Sequence, residues 1–200
     1  MGLMGDLWLV RHAETEWSIS GQHTGRTDLP LTPAGEVHAR NLAPLLDRCT
    51  FARVFTSPLK RAFDTCRLSG FGDRAELEPN LLEWDYGFYE GRKSADIRRE
   101  MPHWTIWDGP AEGGETVDDV ARRADAFISR VQKIQGDTIA FAHGHILRIL
   151  TARYLCLEPR AGRFFLLDSA SVSVLGHEHE TPAIRRWNER PQDLGERKAP

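Results

Sequence analysis

Arginine and histidine side chains follow three short apolar runs of this sequence. Arg11 and His12 come directly after the first run, Arg61 lies shortly after the second, and His143 follows the third. The formal net charge of the chain is −3, so cations gathered at one place indicate an anionic ligand. The planar fork of arginine matches phosphate oxygens in pairs. These residue types therefore predict a site for a phosphorylated ligand.

A metal site is the alternative interpretation of one of these segments. His143 and His145 form an HxH pair. However, no cysteine lies near them, and no carboxylates stand at ligand spacing. Arginines beside the candidate ligands would also repel a cation. We therefore expect no metal and no cofactor.

The elements that must position these residues alternate along the chain. Predicted strands span residues 7–10, 53–56, 138–141 and 172–175. Helical patterns lie between them, which predicts an α/β fold, a three-layer α/β/α sandwich around a mostly parallel central sheet. Ligands bind beyond the carboxyl ends of parallel strands, so we expect the cationic segments to meet at one edge of the sheet.

Local signals mark where the helices begin. Thr32 followed by Pro33 predicts one helix start, and Ser57 followed by Pro58 predicts a second. Thr116, with an aspartate three residues later, resembles a capping box and opens the clearest helical pattern of the chain.

One segment departs from the alternation of strands and helices. Residues 87–115 hold a short helical pattern, two tryptophans and a stretch rich in glycine and proline. We predict that this segment is an excursion over the active site, within a single domain of residues 1–190. The polar residues 191–200 are predicted to form a flexible tail.

Composition excludes several classes of protein. The chain has 200 residues, 40% of them hydrophobic and 28% charged, which is typical of a globular protein. The slightly acidic balance argues against nucleic-acid binding, and no apolar run approaches the roughly 18 residues of a membrane span. Three scattered cysteines favour a reducing compartment, so we expect a cytoplasmic protein. Both a monomer and a homodimer remain open.

Several segments, in order, resemble the histidine phosphatase superfamily, also called the phosphoglycerate-mutase-like family. The first contains the Arg-His pair in the sequence LVRHAET, and the resemblance covers nearly the whole chain. The matching segments are residues 9–15, 21–25, 29–35, 56–62, 82–87, 114–116 and 141–144.

The resemblance implies a mechanism for the cationic residues. His12 would be the nucleophile that forms a phosphohistidine. Arg11, Arg61 and His143 would hold the phosphoryl oxygens as charge develops on them. Glu83 matches the proton donor of the family, and it would later activate water.

The resemblance also implies a set of substrate-binding residues. Ser18 stands where many relatives carry asparagine, and Thr24 and Gly25 match a turn that contacts phosphate. His179 aligns with a position near the pocket in one branch of the family. The full expected set is Ser18, Gln22, His23, Thr24, Gly25, Tyr86, Gly144 and His179.

The branch that this chain resembles most contains sedoheptulose-1,7-bisphosphatases and acid phosphatases. Cofactor-dependent mutases of the family carry Arg-His where this chain has Trp84 and Asp85, and they have a longer basic excursion. We therefore expect a phosphatase that acts on a small phosphorylated metabolite, such as a sugar phosphate or bisphosphate. The alternatives are a phosphoglycerate mutase, a phosphoprotein phosphatase and a catalytically silent protein that binds a phosphorylated ligand.

Overall fold

A computed structural model of the chain describes residues 5–109 and 112–191. The tail predicted at 191–200 lies outside these residues, except for residue 191. The described part contains a six-stranded sheet in the order β3-β2-β4-β1-β5-β6. Its strands are β1 (Leu7–Arg11), β2 (Arg53–Thr56), β3 (Ala75–Leu77), β4 (Thr138–Ala142), β5 (Val172–Glu178) and β6 (Thr181–Glu189).

Strands β1 to β4 pair in parallel, whereas β5 and β6 are antiparallel to their neighbours. Arg11 pairs with Ala142, and Thr56 pairs with Phe141. The carboxyl ends of β1, β2 and β4 therefore lie at one edge of the sheet, as the sequence predicts. The mostly parallel sheet is confirmed.

Helices cover both faces of the sheet. They are α1 (Glu16–Ser20), α2 (Pro33–Arg40), α3 (Ala43–Leu46), α4 (Lys60–Leu68), α5 (Ser94–Glu100), α6 (Val117–Val131) and α7 (Gly144–Tyr154). One apolar core packs α6 and α7 against residues such as Leu9 and Ala140. The other packs α2 to α4 against residues such as Val10 and Phe141. Since alternate residues of a strand point to opposite faces, the buried strands supply both cores, and the three-layer prediction is confirmed.

Two predicted helix starts are confirmed, and one is wrong. Thr32 caps α2 through the Gly35 amide, and Thr116 forms a capping box with Asp119 at the start of α6. The helix expected after Ser57 and Pro58 begins only at Lys60. The Ser57 side chain is fully buried against the ring of His143, so it does not cap that helix.

Residues 87–109 and 112–115, the described part of the predicted excursion, pack against the α6–α7 side of the sheet. Their aromatic side chains Tyr89, Trp104 and Trp107 are buried in the same apolar core as these helices. A bridge between Gln22 and Lys93 joins the segment to the loop that follows α1. It therefore lies beside the carboxyl edge of the sheet, where the cationic residues are found.

Candidate active site

Two imidazoles that are distant in sequence lie together at the carboxyl edge of the sheet. His12 follows β1 and His143 follows β4, and their ring centroids are 5.2 Å apart with the planes tilted by 59°. Both side chains are buried. The parallel register of β1 and β4 explains this proximity, since it aligns the residues that follow the two strands.

The hydrogen bond of His12 determines which ring nitrogen is free. Nδ1 lies 2.7 Å from the carbonyl oxygen of Ala13. A carbonyl can only accept, so Nδ1 carries the proton and Nε2 keeps its lone pair. Burial, with Arg61 and Arg11 nearby, holds the pKa of His12 well below its usual value. This imidazole is therefore neutral near pH 7, and its Nε2 can act as a nucleophile.

His143 has the opposite tautomer. Its Nδ1 accepts a hydrogen bond from Nε of Arg61 at 3.1 Å, so its proton is on Nε2. Nε2 lies 2.7 Å from Oγ of Ser57 and donates to it. Burial, together with the charge of Arg61, keeps the pKa of His143 well below its ordinary value. His143 is thus a neutral donor.

The guanidinium of Arg61 is fully buried and holds a turn of the chain. Its terminal nitrogens donate to the carbonyl oxygens of Thr24, Gly25 and Thr27 at 2.9–3.0 Å. The amides of Gly25 and Thr27 donate to the Glu90 carboxylate at 2.9–3.0 Å. The turn is therefore fixed from both sides.

The resemblance implies that Thr24 and Gly25 form a turn that contacts phosphate. The amide of Gly25, however, donates to both oxygens of the Glu90 carboxylate at 2.9 Å and so is not free to bind phosphate. Close packing instead explains the glycine at this position. A Cβ on Gly25 would lie 2.5 Å from the carbonyl oxygen of Trp84.

Arg11 lies at the mouth of the same site. One of its terminal nitrogens donates to the carbonyl oxygen of Leu167, and its Nε is buried without a partner among the described residues. Burial lowers the pKa of Arg11, while the nearby Glu83 opposes this shift. An unpaired buried donor costs free energy, so this guanidinium is suited to receive an anion.

Glu83 is held by backbone amides. Its carboxylate accepts hydrogen bonds from the amides of Trp84, His145 and Ile146 at 2.9–3.0 Å. The last two belong to the first turn of α7, which has no side-chain cap of its own. Glu83 thus caps this helix and stands in a fixed orientation beside it.

Of these groups, Arg11, His12 and Glu83 border a cleft of about 230 Å³. Its walls are formed by Arg11, His12, Trp17, Ser18, Gly21, Gln22, His23, Thr24, Glu83, Tyr86, Gly144, His145, Arg148 and Leu167. Arg61 and His143 lie behind this wall and are fully buried. The five expected catalytic residues therefore lie together. Arg11, His12 and Glu83 line the cleft, and Arg61 and His143 are buried behind them.

The expected substrate-binding residues divide into two groups. Ser18, Gln22, His23, Thr24, Tyr86 and Gly144 line the cleft, whereas Gly25 and His179 do not. The Ser18 hydroxyl is already engaged, since it forms the capping box of α1 with Thr15.

The expectation that His179 lies near the pocket is wrong. His179 occupies the turn between β5 and β6, and its side chain is 91% exposed. Strand β5 runs antiparallel to β1, with Val172 beside Val10 and Leu175 beside Leu7. The end of β5 therefore lies at the opposite edge of the sheet.

Five residues of the cleft wall were not among the expected site residues: Trp17, Gly21, His145, Arg148 and Leu167. The Nδ1 atom of His145 lies 2.7 Å from the hydroxyl of Tyr86. The guanidinium carbon of Arg148 lies 4.9 Å above the ring of Trp107. Arg148 could have been found from its spacing, because it stands four residues after Gly144 on a predicted helix and so shares its face.

The two histidines of the HxH pair have different partners, Ser57 and Tyr86. Among residues 5–109 and 112–191, no three histidine, cysteine, aspartate or glutamate side chains are grouped in a way that could hold a metal ion. In the same ranges, no helix has the length and apolar character needed to cross a bilayer.

The buried histidines predict that the protein is less stable in mild acid. Burial is the main cause that holds the pKa values of His12, His143 and His145 well below 6.5, and burial with Arg98 nearby lowers the pKa of His23 to about 4. As pH falls below about 6.5, these imidazoles take up protons in the unfolded chain but not in the folded one. The contribution of these histidines to the free energy of unfolding therefore decreases as the pH falls from about 6.5 towards about 5. Above the pKa that the histidines have in the unfolded chain, this contribution does not change with pH.

We expect a lower Tm at about pH 5.5 than at about pH 7.5 in matched buffers. The variant His23→Gln should lose less stability over this interval than the unmodified protein does. An equal or higher Tm at the acidic pH would contradict the assignment of these imidazoles as neutral.

Comparison with known proteins agrees with this geometry. The family model of the histidine phosphatase superfamily (branch 1) matches residues 7–190. An acid phosphatase of Mycobacterium tuberculosis is 36% identical over 177 residues, which cover 86% of this chain and 87% of that protein. The sedoheptulose 1,7-bisphosphatase of Saccharomyces cerevisiae is 38% identical over 179 residues, covering 72% of this chain and 65% of the yeast protein. A solved structure of a Mycobacterium tuberculosis open reading frame product has a TM-score of 0.89 at 32% identity, covering 94% and 98% of the two chains.

Proposed function

Because the chain belongs to the histidine phosphatase superfamily, we propose that it hydrolyses the phosphate monoester of a small metabolite through a phosphohistidine intermediate. The phosphatase-named relatives support hydrolysis as the reaction. The observation that carries the proposal is the pair of neutral imidazoles, with His12 Nε2 unprotonated beside His143.

In the first step, the lone pair of His12 Nε2 attacks phosphorus. The new P–N bond forms as the P–O bond to the leaving group breaks, and the electron pair of that bond goes to the leaving oxygen. The Glu83 carboxyl gives this oxygen its proton, so the product leaves as a neutral alcohol. In the second step, the Glu83 carboxylate takes a proton from water, which attacks phosphorus and releases phosphate and neutral His12.

Positive charge around His12 stabilises the phosphoryl group in both steps. The Arg11 guanidinium borders the cleft, and Arg61 lies directly behind it. The Nε2–H of His143 is the donor that can turn from Ser57 to a phosphoryl oxygen. Such preorganised donors are worth most where water is excluded, and removing one costs about 10²–10³ in kcat.

The other residues of the cleft wall support a sugar phosphate or bisphosphate as substrate. Arg148 lies one helical turn beyond Gly144 and borders the cleft. Its Nε and one terminal nitrogen donate to the carbonyl oxygens of Gly162 and Arg163, so its other terminal nitrogen is the donor for an anionic group. Tyr86, His23 and Gln22 add polar groups that could bind hydroxyls. A ligand with one phosphate at His12 and a second anionic group near Arg148 fits this arrangement, and the yeast relative is named for such a bisphosphate.

The test is phosphate release from a panel of sugar monophosphates, sugar bisphosphates, nucleotides and glycolytic acids, with and without a chelator. We expect release from sugar phosphates, with no loss of rate on chelation. Arg148→Gln should raise KM for bisphosphates by about tenfold and change KM for monophosphates little. Arg163→Gln is the matched control, because Arg163 pairs with Asp108 and does not line the cleft.

Two results would contradict the proposal. Rapid interconversion of 3- and 2-phosphoglycerate with little phosphate release would show a mutase. Tight binding of phosphorylated ligands without any turnover would show a silent binding protein.

A further inference from the structure

The loop that carries Glu83 depends on an ion pair outside the cleft. Residues 83–86 lie in neither a helix nor a strand, so no regular backbone ladder holds them. Instead, Arg123 of α6 reaches this loop with its guanidinium. Its partner is the carboxylate of Glu115, at 2.7 Å from Nε. The two side chains are only 17% and 19% exposed.

Every N–H of the Arg123 guanidinium donates a hydrogen bond to this loop or to Glu115. One terminal nitrogen donates to the carbonyl oxygens of Asn80 and Leu82, each at 2.8 Å. The other donates to the Glu83 carbonyl oxygen at 3.4 Å and to Glu115 at 2.8 Å. The fork thus binds three carbonyls within four residues and both carboxylate oxygens of Glu115, which takes five donors, whereas a lysine has three.

Glu115 fixes the other side of the same loop. Its carboxylate accepts from the amide of Asp85 at 2.9 Å, and its carbonyl oxygen accepts from Nε1 of Trp84 at 2.7 Å. Its own amide donates to the carbonyl oxygen of Asp85 at 2.9 Å. The backbone is therefore held both before and after Glu83 by one ion pair.

We propose that Arg123 and Glu115 are positioning residues that set the distance between the Glu83 carboxyl and the oxygen of the leaving group. This inference rests on the role of proton donor that the proposed function gives to Glu83. The helix amides orient the carboxylate, and the ion pair fixes the backbone from which that side chain extends. Proton transfer needs heavy atoms within about 2.6–3.2 Å, and a misplacement of about 1 Å can cost about 100-fold in rate.

The test compares two leaving groups in the variants Arg123→Lys and Glu115→Gln. An alkyl phosphate such as a sugar phosphate needs a proton on its leaving oxygen, whereas p-nitrophenyl phosphate leaves as a stable anion. We expect kcat/KM to fall by about 10- to 100-fold for the alkyl ester and by less than about threefold for the nitrophenyl ester. This parameter is compared because it reports only the steps up to departure of the leaving group, and so excludes the later attack of water, in which Glu83 also acts. The ratio is measured in one preparation, so a smaller folded fraction lowers both rates equally and cancels.

Two further variants test whether the change in the ratio is specific to the residues that position Glu83. Arg130 is also on α6 and pairs with Glu78 and Glu76, but it donates to no carbonyl of residues 80–85 in the described contacts. Arg130→Lys should therefore leave the ratio unchanged, whereas Glu83→Gln should change it at least as much as Arg123→Lys does.

An equal loss on both esters in the Arg123 and Glu115 variants, with a selective loss in Glu83→Gln, would overturn the positioning role alone. An equal loss on both esters in Glu83→Gln itself would overturn the donor role of Glu83, and the positioning role with it.

Discussion

Replacing His12 with alanine is expected to remove the turnover of every phosphate ester, with kcat lower by about 10⁴-fold or more. The reason is geometric: His12 presents the unprotonated Nε2 beside the guanidiniums of Arg11 and Arg61. His143 cannot replace it, because Arg61 donates to its Nδ1 and its Nε2 carries the proton. Phosphate release from a sugar phosphate is the direct measurement.

The same variant should also fail to form the covalent intermediate. A phosphohistidine is labile to acid and stable to base, so brief incubation with a labelled substrate followed by a base quench should label the unmodified protein and not His12→Ala. His179→Ala is the control, since this histidine is exposed at the opposite edge of the sheet and should keep full activity. Turnover within about tenfold of the unmodified rate in His12→Ala would exclude this nucleophile.

Replacing Arg61 with methionine is expected to destabilise the protein by about 3–5 kcal/mol and to lower kcat by about 10²–10³. Methionine keeps an unbranched stem but is shorter than arginine and donates no hydrogen bond. The carbonyls of Thr24, Gly25 and Thr27 and the Nδ1 of His143 would all lose their donor in a buried place. The loss of stability comes from these unsatisfied acceptors, and the loss of rate comes from the missing charge.

Urea denaturation and steady-state kinetics check the two effects separately. Arg67→Met on the same helix breaks only an exposed pair with Asp64, and it should change stability by less than about 1 kcal/mol. Arg61→Lys keeps the charge but not the fork, so it should recover more of kcat than of stability. An Arg61→Met protein as stable as the unmodified one would contradict the role assigned to this guanidinium.

The convergence of Arg11, His12 and His143 could be predicted from sequence because short apolar strands impose it. Parallel strands have their carboxyl ends at one edge, so the residues that follow β1 and β4 must be neighbours. The helix caps at Thr32 and Thr116 could be predicted for a similar reason, since each is encoded within four residues. In both cases a local pattern determines the geometry.

The residues that hold the site in place from outside the cleft could not be predicted from a local sequence pattern. Glu90 contacts an amide 65 residues away, and Arg123 contacts the carbonyl of a residue 40 positions earlier. Nothing in the neighbourhood of either residue distinguishes it from an ordinary surface charge. The error at His179 has a related origin, because its position depends on the antiparallel direction of β5, which the apolar pattern does not reveal.

Helix α7 combines two properties in a single rigid segment. Its first turn presents Gly144 to the cleft and anchors Glu83 through backbone amides, which every residue type except proline possesses. Its second turn places the side chain of Arg148 along the same cleft. A lineage could therefore acquire a new substrate through exchanges at position 148 and its neighbours on the wall, while the amides that orient the acid stay in place. Backbone amides orient the acid, whereas side chains contact the ligand. This fold can therefore change its ligand in evolution without losing the orientation of the acid.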